Sequence, residues 1–415
     1  LFFEQIHAPE RSRPSAICSR LADATPARAR PMTRDGDRDL PPAEALARLR
    51  LARTEGIGPL TFGRLLERHG TATSALAALP RLAARRGAPF ALHPESEARR
   101  EMDALHRMGA RLLFAGLPPY PPLLAMQEDA PPVLALLGDP TALARRAVAL
   151  VGARNVSAAG RRIAEELAES LAAAGLAVVS GLARGIDAAA HLGALRKGRT
   201  IACIAGGLDE PYPPEHAKLQ ARIADEGGAV LAEAPLGTAP LARHFPRRNR
   251  IVAALSLGVV VVEAAPRSGS LIAARLALEA GRELFAVPGS PLDPRARGAN
   301  DLIRQGAHLT ESADDVLAHL PEAPRPARLF TPPPAWESAD AAEELVPPTS
   351  ATPETATQVI DLIGGSPIAV DEVMRRCHLS PSAIQAILLD LELAGRVELL
   401  PGNRVALTGR GQDGR

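Results

Sequence analysis

From Ala147 to Val287 the chain alternates short apolar runs with segments of helical period: Ala147–Val151, Ala177–Ser180, Thr200–Ala205, Ala229–Ala232, Val259–Glu263 and Leu284–Val287. Runs this short and this apolar are strands buried on both faces. A sheet is covered on both faces when the crossovers between its parallel strands are helices packed on either side. The expected fold is therefore α/β, with a Rossmann-like, doubly wound, mainly parallel sheet.

The flanks follow other patterns. From Pro41 onward Leu46, Leu49, Phe62, Leu65, Leu76 and Leu79 recur at helix-like spacings between glycine breaks, so residues 40–115 are expected to form a small helical domain. Within it Glu55-Gly56-Ile57-Gly58-Pro59-Leu60 resembles the glycine turn of a helix-hairpin-helix, whose backbone amides approach a DNA phosphate. A plain turn between two packed helices is the simpler account. Residues 116–320 make the sheet domain, opening with a proline-dense connector from Pro118 to Pro132. Residues 321–353 read as a Pro/Ala/Glu-rich linker. Helical segments at Thr357–Ile363, Val370–Arg376 and Pro381–Leu393, the last capped by Leu379-Ser380-Pro381, precede a hairpin around Pro401-Gly402-Asn403. That order predicts a winged helix over 354–409, with 410–415 as a tail. Residues 1–39 show no period and read as a disordered leader, with Met32 as the expected true start.

Charge and cysteine usage narrow the function classes. With 48 basic and 47 acidic residues the formal charge is +1, so anion binding has to come from local clusters rather than bulk charge. Cys18, Cys203 and Cys377 include no CxxC pair, which argues against a zinc site and a disulfide framework and for a reducing cytoplasm. No apolar run approaches the roughly 18 residues of a membrane span.

In open parallel sheets ligands bind beyond the carboxyl ends of the strands. Those ends carry Gly152-Ala153-Arg154-Asn155, Ser180-Gly181-Leu182-Ala183-Arg184-Gly185-Ile186-Asp187, Gly206-Gly207-Leu208-Asp209, Arg267-Ser268-Gly269-Ser270 and Pro288-Gly289-Ser290. Glycines admit close backbone approach and helix starts offer free amides, so these loops form an anion-binding rim. The rim lacks both G-x-G-x-x-G and G-x-x-x-x-G-K-[ST], so neither dinucleotides nor ATP are indicated. His191, Asp187, Asp209 and Glu263 are candidates for acid–base work, yet they form no triad or ligand cluster. His191 reads as packing, Asp187 as a helix N-terminal carboxylate and Glu263 as a partner for a nearby arginine. The stretch Phe245-Pro246-Arg247-Arg248-Asn249-Arg250, with Arg243 before it, places four arginines within eight residues around one ring. Guanidinium groups neutralise phosphates and a ring stacks an unpaired base, so single-stranded nucleic acid suits this combination best.

Taken together, Ser180 to Asp187, Gly206 to Asp209 with Tyr212-Pro213, Phe245 to Arg250, Ser268-Gly269-Ser270-Leu271 and Ala286-Val287-Pro288-Gly289 resemble the DNA-processing protein A (DprA/Smf) family from about residue 120 to 320. The resemblance implies a non-catalytic, cofactor-free and metal-free protein. Such a protein binds incoming single-stranded DNA during natural transformation, dimerises through its core and loads the RecA recombinase. It implies a pocket of Arg154, Ser180, Gly181, Phe245, Arg248, Asn249, Arg250, Ser268 and Gly269; the arginine cluster adds Arg243 and Arg247. Departures are Ala153 for Ser or Thr, Ala232 for Ser, Ala254 for Gly, Ala273 for Thr, and Ala242 where a lysine is common. The alternative is a nucleotide or nucleoside phosphoribohydrolase of the lysine-decarboxylase-like group, but its P-G-G-x-G-T-x-x-E run is absent. From Thr352 to Arg415 six arginines face eight acidic residues, so the winged helix suits a protein contact at least as well as a DNA groove.

Overall fold

A computed structural model describes residues 40–84, 91–266, 268–322, 353–363, 367–377, 381–400 and 403–408. The expected leader with Met32, the linker beyond residue 322, Arg267, Leu379-Ser380, the turn residues Pro401-Gly402 and the tail lie outside the described residues.

Four helices come first: α1 (Pro42–Arg53), α2 (Pro59–His69), α3 (Ala72–Ala84) and α4 (Glu95–Arg107). Leu51, Phe62, Leu65 and Leu79 close the core of the first three. Gly56 takes φ +80°, and α2 then starts with Gly58 as its cap and Pro59 in its first turn, where a missing N–H costs nothing. The chain continues through β1 (Arg111–Phe114), α5 (Pro122–Ala125), β2 (Val133–Gly138), β3 (Ala147–Gly152), α6 (Ala158–Ala173), β4 (Ala177–Ser180), α7 (Ile186–Leu195), β5 (Arg199–Ile204), α8 (Ala217–Asp225) and β6 (Ala229–Ala232). It then forms α9 (His244–Ala254), β7 (Gly258–Val262), α10 (Gly269–Glu279), β8 (Glu283–Ala286), α11 (Arg297–Arg304), β9 (His308–Leu309) and α12 (Ala313–His319).

The sheet has nine strands in the order β1-β2-β6-β5-β4-β3-β7-β8-β9. All pairs are parallel except β1 with β2 and β2 with β6. The six expected strands all form, with ends moved by about one residue, so that Glu263 falls just past β7. Three further strands go beyond the sequence expectation. β1 begins before the anticipated domain boundary, and β2 emerges directly from the proline-dense connector. Both lie at an antiparallel edge, while β9 is too short to leave a pattern.

Side chains from both faces of the strands fill two cores. Ala149, Val151, Val179 and Val261 meet α9 and α10 on one face. Val148, Leu150, Val178 and Val260 meet α6, α7 and α12 on the other. Neighbouring residues of β3 thus divide between the two cores, as the alternation of a strand requires. The strand order reverses between β3 and β7. That gap is where a doubly wound sheet opens a crevice.

A C-terminal unit of α13 (Pro353–Leu362), β10 (Ile368–Ala369), α14 (Val370–Cys377), α15 (Pro381–Leu393), β11 (Val397–Leu400) and β12 (Arg404–Leu407) forms a winged helix around Val373, Ile384, Leu388 and Val405. Leu60 of α2 packs against this core, and the buried Thr61 hydroxyl donates to the Glu392 carboxylate of α15. Among the described residues no helix is long and apolar enough to cross a membrane.

Candidate nucleic-acid interface

At the switch point a cavity of about 570 Å³ opens between the loops after β3 and β7 and the first turns of α9 and α10. Arg154, Gly181, Phe245, Arg248, Asn249, Ser268 and Gly269 all line it. They come from different loops, and the parallel topology alone brings them together.

Two helix starts face this region, and they differ. Ser157 caps α6 by accepting from the Gly160 amide at 2.9 Å, while its own N–H donates to Glu263 at 3.0 Å and its hydroxyl donates to the same carboxylate. A Cβ on Gly160 would stand 2.5 Å from the Glu263 carboxyl carbon. The protein's own carboxylate thus occupies the place where Rossmann-like folds hold a pyrophosphate. The direct hydrogen bonds of the carboxylate go to Ser157, and the expected nearby arginine is Arg295, close enough to feel its charge. The start of α10 is different. Ser268 caps it without a side-chain bond to the helix backbone, and Gly269 has open space where a Cβ would point. Leading amides of a helix have no partner within it, so this end presents donors and a positive dipole to the cavity.

Phe245 is the apolar wall. The Arg154 guanidinium lies over its ring at 4.8 Å, Arg248 stands 5.9 Å away, and Tyr212 meets it edge-on with centroids 5.6 Å apart. Arg154 is exposed and free to exchange the ring for a phosphate. Asn249 braces the wall from behind. Its side-chain amide donates to the Gly269 carbonyl at 3.2 Å and ties α9 to the first turn of α10.

Several expected ligands are engaged by the protein's own groups. Ser180 is fully buried and donates to the Leu150 carbonyl at 2.6 Å, so it braces adjacent strands rather than meeting a ligand. Arg248 is only 5% exposed; it donates to the Cys203 carbonyl at 3.1 Å and stands 3.9 Å from the buried Asp187 carboxylate. Its guanidinium lies flat against Gly181, where an added Cβ would fall 1.3 Å from Nη1. Arg248 is therefore the floor of the cavity, not a mobile phosphate clamp. Burial pushes the Asp187 carboxyl up against the opposing pull of Arg248, and Asp187 also accepts from the Ala183 amide at 3.3 Å. Arg247 and Arg250 both pair with Glu233, at 2.8 and 2.7 Å. Arg250 also reaches Asp129, so these two hold α9 to the sheet edge instead of facing the cavity. Arg243 is exposed at the start of α9, outside the cavity lining.

Of the acid–base candidates, His191 is fully buried with Nδ1 2.6 Å from the Thr200 hydroxyl. That hydroxyl donates to the Val178 carbonyl, so Nδ1 is the nitrogen that donates to it. Burial lowers the pKa of the ring to about 3. Asp209 accepts from the Gly237 amide and fastens a loop. Among the described residues no group of three or more His, Cys, Asp or Glu is placed to hold a metal ion. One charged cavity residue escapes a reading of the sequence: Arg295, which arrives from the loop after β8, fixed by Asp293 at 2.8 and 3.0 Å. Its only signal is the Asp-x-Arg spacing beyond a strand end.

Comparison with known proteins agrees with this layout. A family model described as DNA recombination-mediator protein A matches residues 111–321, a DprA-like N-terminal HHH domain matches 42–104, and a DprA winged helix domain matches 341–403. Protein Smf of Escherichia coli is 40% identical over 296 residues, spanning 69% of this chain and 75% of that protein. DNA processing protein DprA of Bacillus subtilis is 43% identical over 225 residues, 54% of this chain and 75% of that one. The X-ray structure of DNA processing protein A from Streptococcus pneumoniae matches with a TM-score of 0.55 at 37% identity, covering 66% of this chain and 96% of that one. The chain belongs to the DNA-processing protein A (DprA/Smf) family.

Proposed function

We propose that this chain is a cytoplasmic recombination mediator that binds single-stranded DNA in the switch-point cavity. It protects incoming strands and loads the RecA recombinase during natural transformation, as a homodimer formed through the sheet domain. The observation that carries the DNA reading is the pairing of an open helix start, at α10, with a cavity-lining ring over which an exposed arginine lies, at Phe245. A phosphate takes the amides and Arg154, and an unpaired base takes the ring. A base in a duplex is already stacked and cannot enter. The recombination-mediator description of the matching family supports the RecA step.

The test is fluorescence anisotropy with a short oligothymidine over a range of salt concentrations. Phe245→Ala is expected to cost about 1–3 kcal/mol with the salt slope unchanged. Arg154→Ala is expected to flatten the slope by about one counterion. Tight binding untouched by both substitutions places the site elsewhere, and nucleotide hydrolysis by the purified protein favours the phosphoribohydrolase. RecA loading is read separately, as faster RecA filament growth on DNA coated with single-strand-binding protein.

A further inference from the structure

Tyr212 stands just outside the cavity, on the loop between β5 and α8, and is 45% exposed. Among the described residues no other phenylalanine, tyrosine or tryptophan is exposed, and Tyr120 is buried with its hydroxyl donating to the Pro131 carbonyl at 2.8 Å. A chain so sparing of aromatics spends this one on the surface, against the pocket's own ring.

The geometry of the two rings limits what they can hold. Their planes meet at 66° with centroids 5.6 Å apart. One base sandwiched between two rings needs parallel planes about 7 Å apart, twice the stacking distance, so this pair cannot clamp a single base. Each ring offers its face to a different base, and the backbone between them must turn. Cations lie beside that turn. Arg154 covers Phe245, and Arg184 lies close enough to Tyr212 to feel its phenol. The loops bearing these arginines are packed backbone to backbone, for a Cβ on Gly185 would fall 2.2 Å from the Ala153 carbonyl oxygen and 2.7 Å from that of Arg154. Arg184 is paired with Glu215 at 2.5 Å, but the two side chains are 65% and 49% exposed. An exposed pair of this kind is held weakly and yields to a phosphate.

We propose that Tyr212 is a second base-stacking position, which carries the strand out of the cavity over the tilted pair of rings, with Arg184 taking the phosphate between the two bases. This rests on the single-stranded-DNA reading of the cavity. Because stacking tolerates any base, the second position lengthens the site without adding sequence preference.

The experiment uses the full chain, thymidine 5′-monophosphate and an oligothymidine of eight nucleotides. Tyr212→Ala is expected to weaken binding of the octamer about tenfold and leave the mononucleotide unchanged, while Tyr212→Phe binds both like wild type. In a second arm the single tryptophan is removed and a reporter installed, as Trp336→Phe with Tyr212→Trp. The octamer is then expected to quench the new indole and the mononucleotide to leave it bright. Equal loss of both ligands in Tyr212→Ala makes Tyr212 a prop for Phe245 and overturns the proposal, as does an unquenched indole with the octamer bound. Normal octamer binding by Tyr212→Ala overturns this proposal alone. If the wild type binds neither ligand, the reading of the cavity falls with it.

Discussion

Arg248 lines the cavity, as its residue type suggests, but from a buried position. Its place in the run of basic and aromatic residues points to phosphate, yet it lies three and four residues before Ile251 and Val252, which are buried. On a helix that spacing puts all three on one face, so the inward turn was legible in the sequence, but the cluster of charges outweighed it. Arg247, one residue away, turns outward to Glu233. The consequence is a stability prediction in place of a binding one. Removing one partner of a buried ion pair leaves the other charge without compensation, so Arg248→Ala is expected to cost roughly 3–5 kcal/mol. Urea denaturation monitored by circular dichroism reads this directly. Arg248→Lys is not expected to rescue it, because the flat fork that fits against Gly181 and reaches the Cys203 carbonyl is specific to guanidinium. A fully stable Arg248→Ala with a flattened salt slope for oligothymidine means that the side chain faces the ligand after all.

At the scale of elements, the helix starts decide which part of the rim is open. The six parallel strands and the glycine-rich ends were legible because buried strands are apolar almost throughout and their loops need close approach. The difference between α6 and α10 was not, since it depends on a carboxylate 106 residues from the helix it closes. Glu263 sits at φ +51°, a costly conformation for a residue with a Cβ, and its bonds to Ser157 offset that cost. Glu263→Ala removes both the bonds and a negative charge at a helix start, and is expected to destabilise the protein by about 1 kcal/mol. It also empties an anion site. Inorganic phosphate is therefore expected to raise the melting temperature of Glu263→Ala more than that of wild type. Equal response of the two proteins in thermal denaturation would show that the carboxylate is not standing in for an anion. The edge strand β1 and its neighbour β2 left no clear pattern for a related reason: their pairing is antiparallel, and a run of prolines that reads as a connector separates them.

Across the whole molecule, the winged helix meets the N-terminal helices through a polar contact at the edge of an apolar one. The acidic balance of this unit suits a protein contact at least as well as a DNA groove, and in the structure the unit touches the chain's own α2. Leu60 enters the winged-helix core, and Glu392 accepts from the Thr61 hydroxyl and from the Leu399 amide at 3.3 Å. Burial pushes the Glu392 carboxyl up; these hydrogen bonds and the charge of Arg64 pull it down, and Glu398 adds to the rise. A carboxyl whose pKa is higher folded than unfolded binds its proton more tightly in the folded state. The contribution of this site to stability is then greatest when Glu392 is protonated, below the ordinary carboxylate range, and is lost as pH rises through the raised value. At neutral pH Glu392→Gln is expected to raise the melting temperature and to remove the dependence of stability on pH contributed by this site, as read by thermal denaturation across that range. Glu392→Lys sets a cation against Arg64 and is expected to release α2 from the winged helix. Small-angle scattering of the full chain checks this: the radius of gyration should grow in Glu392→Lys, and an unchanged radius would mean that Leu60 and its apolar neighbours carry the contact without help from this carboxylate.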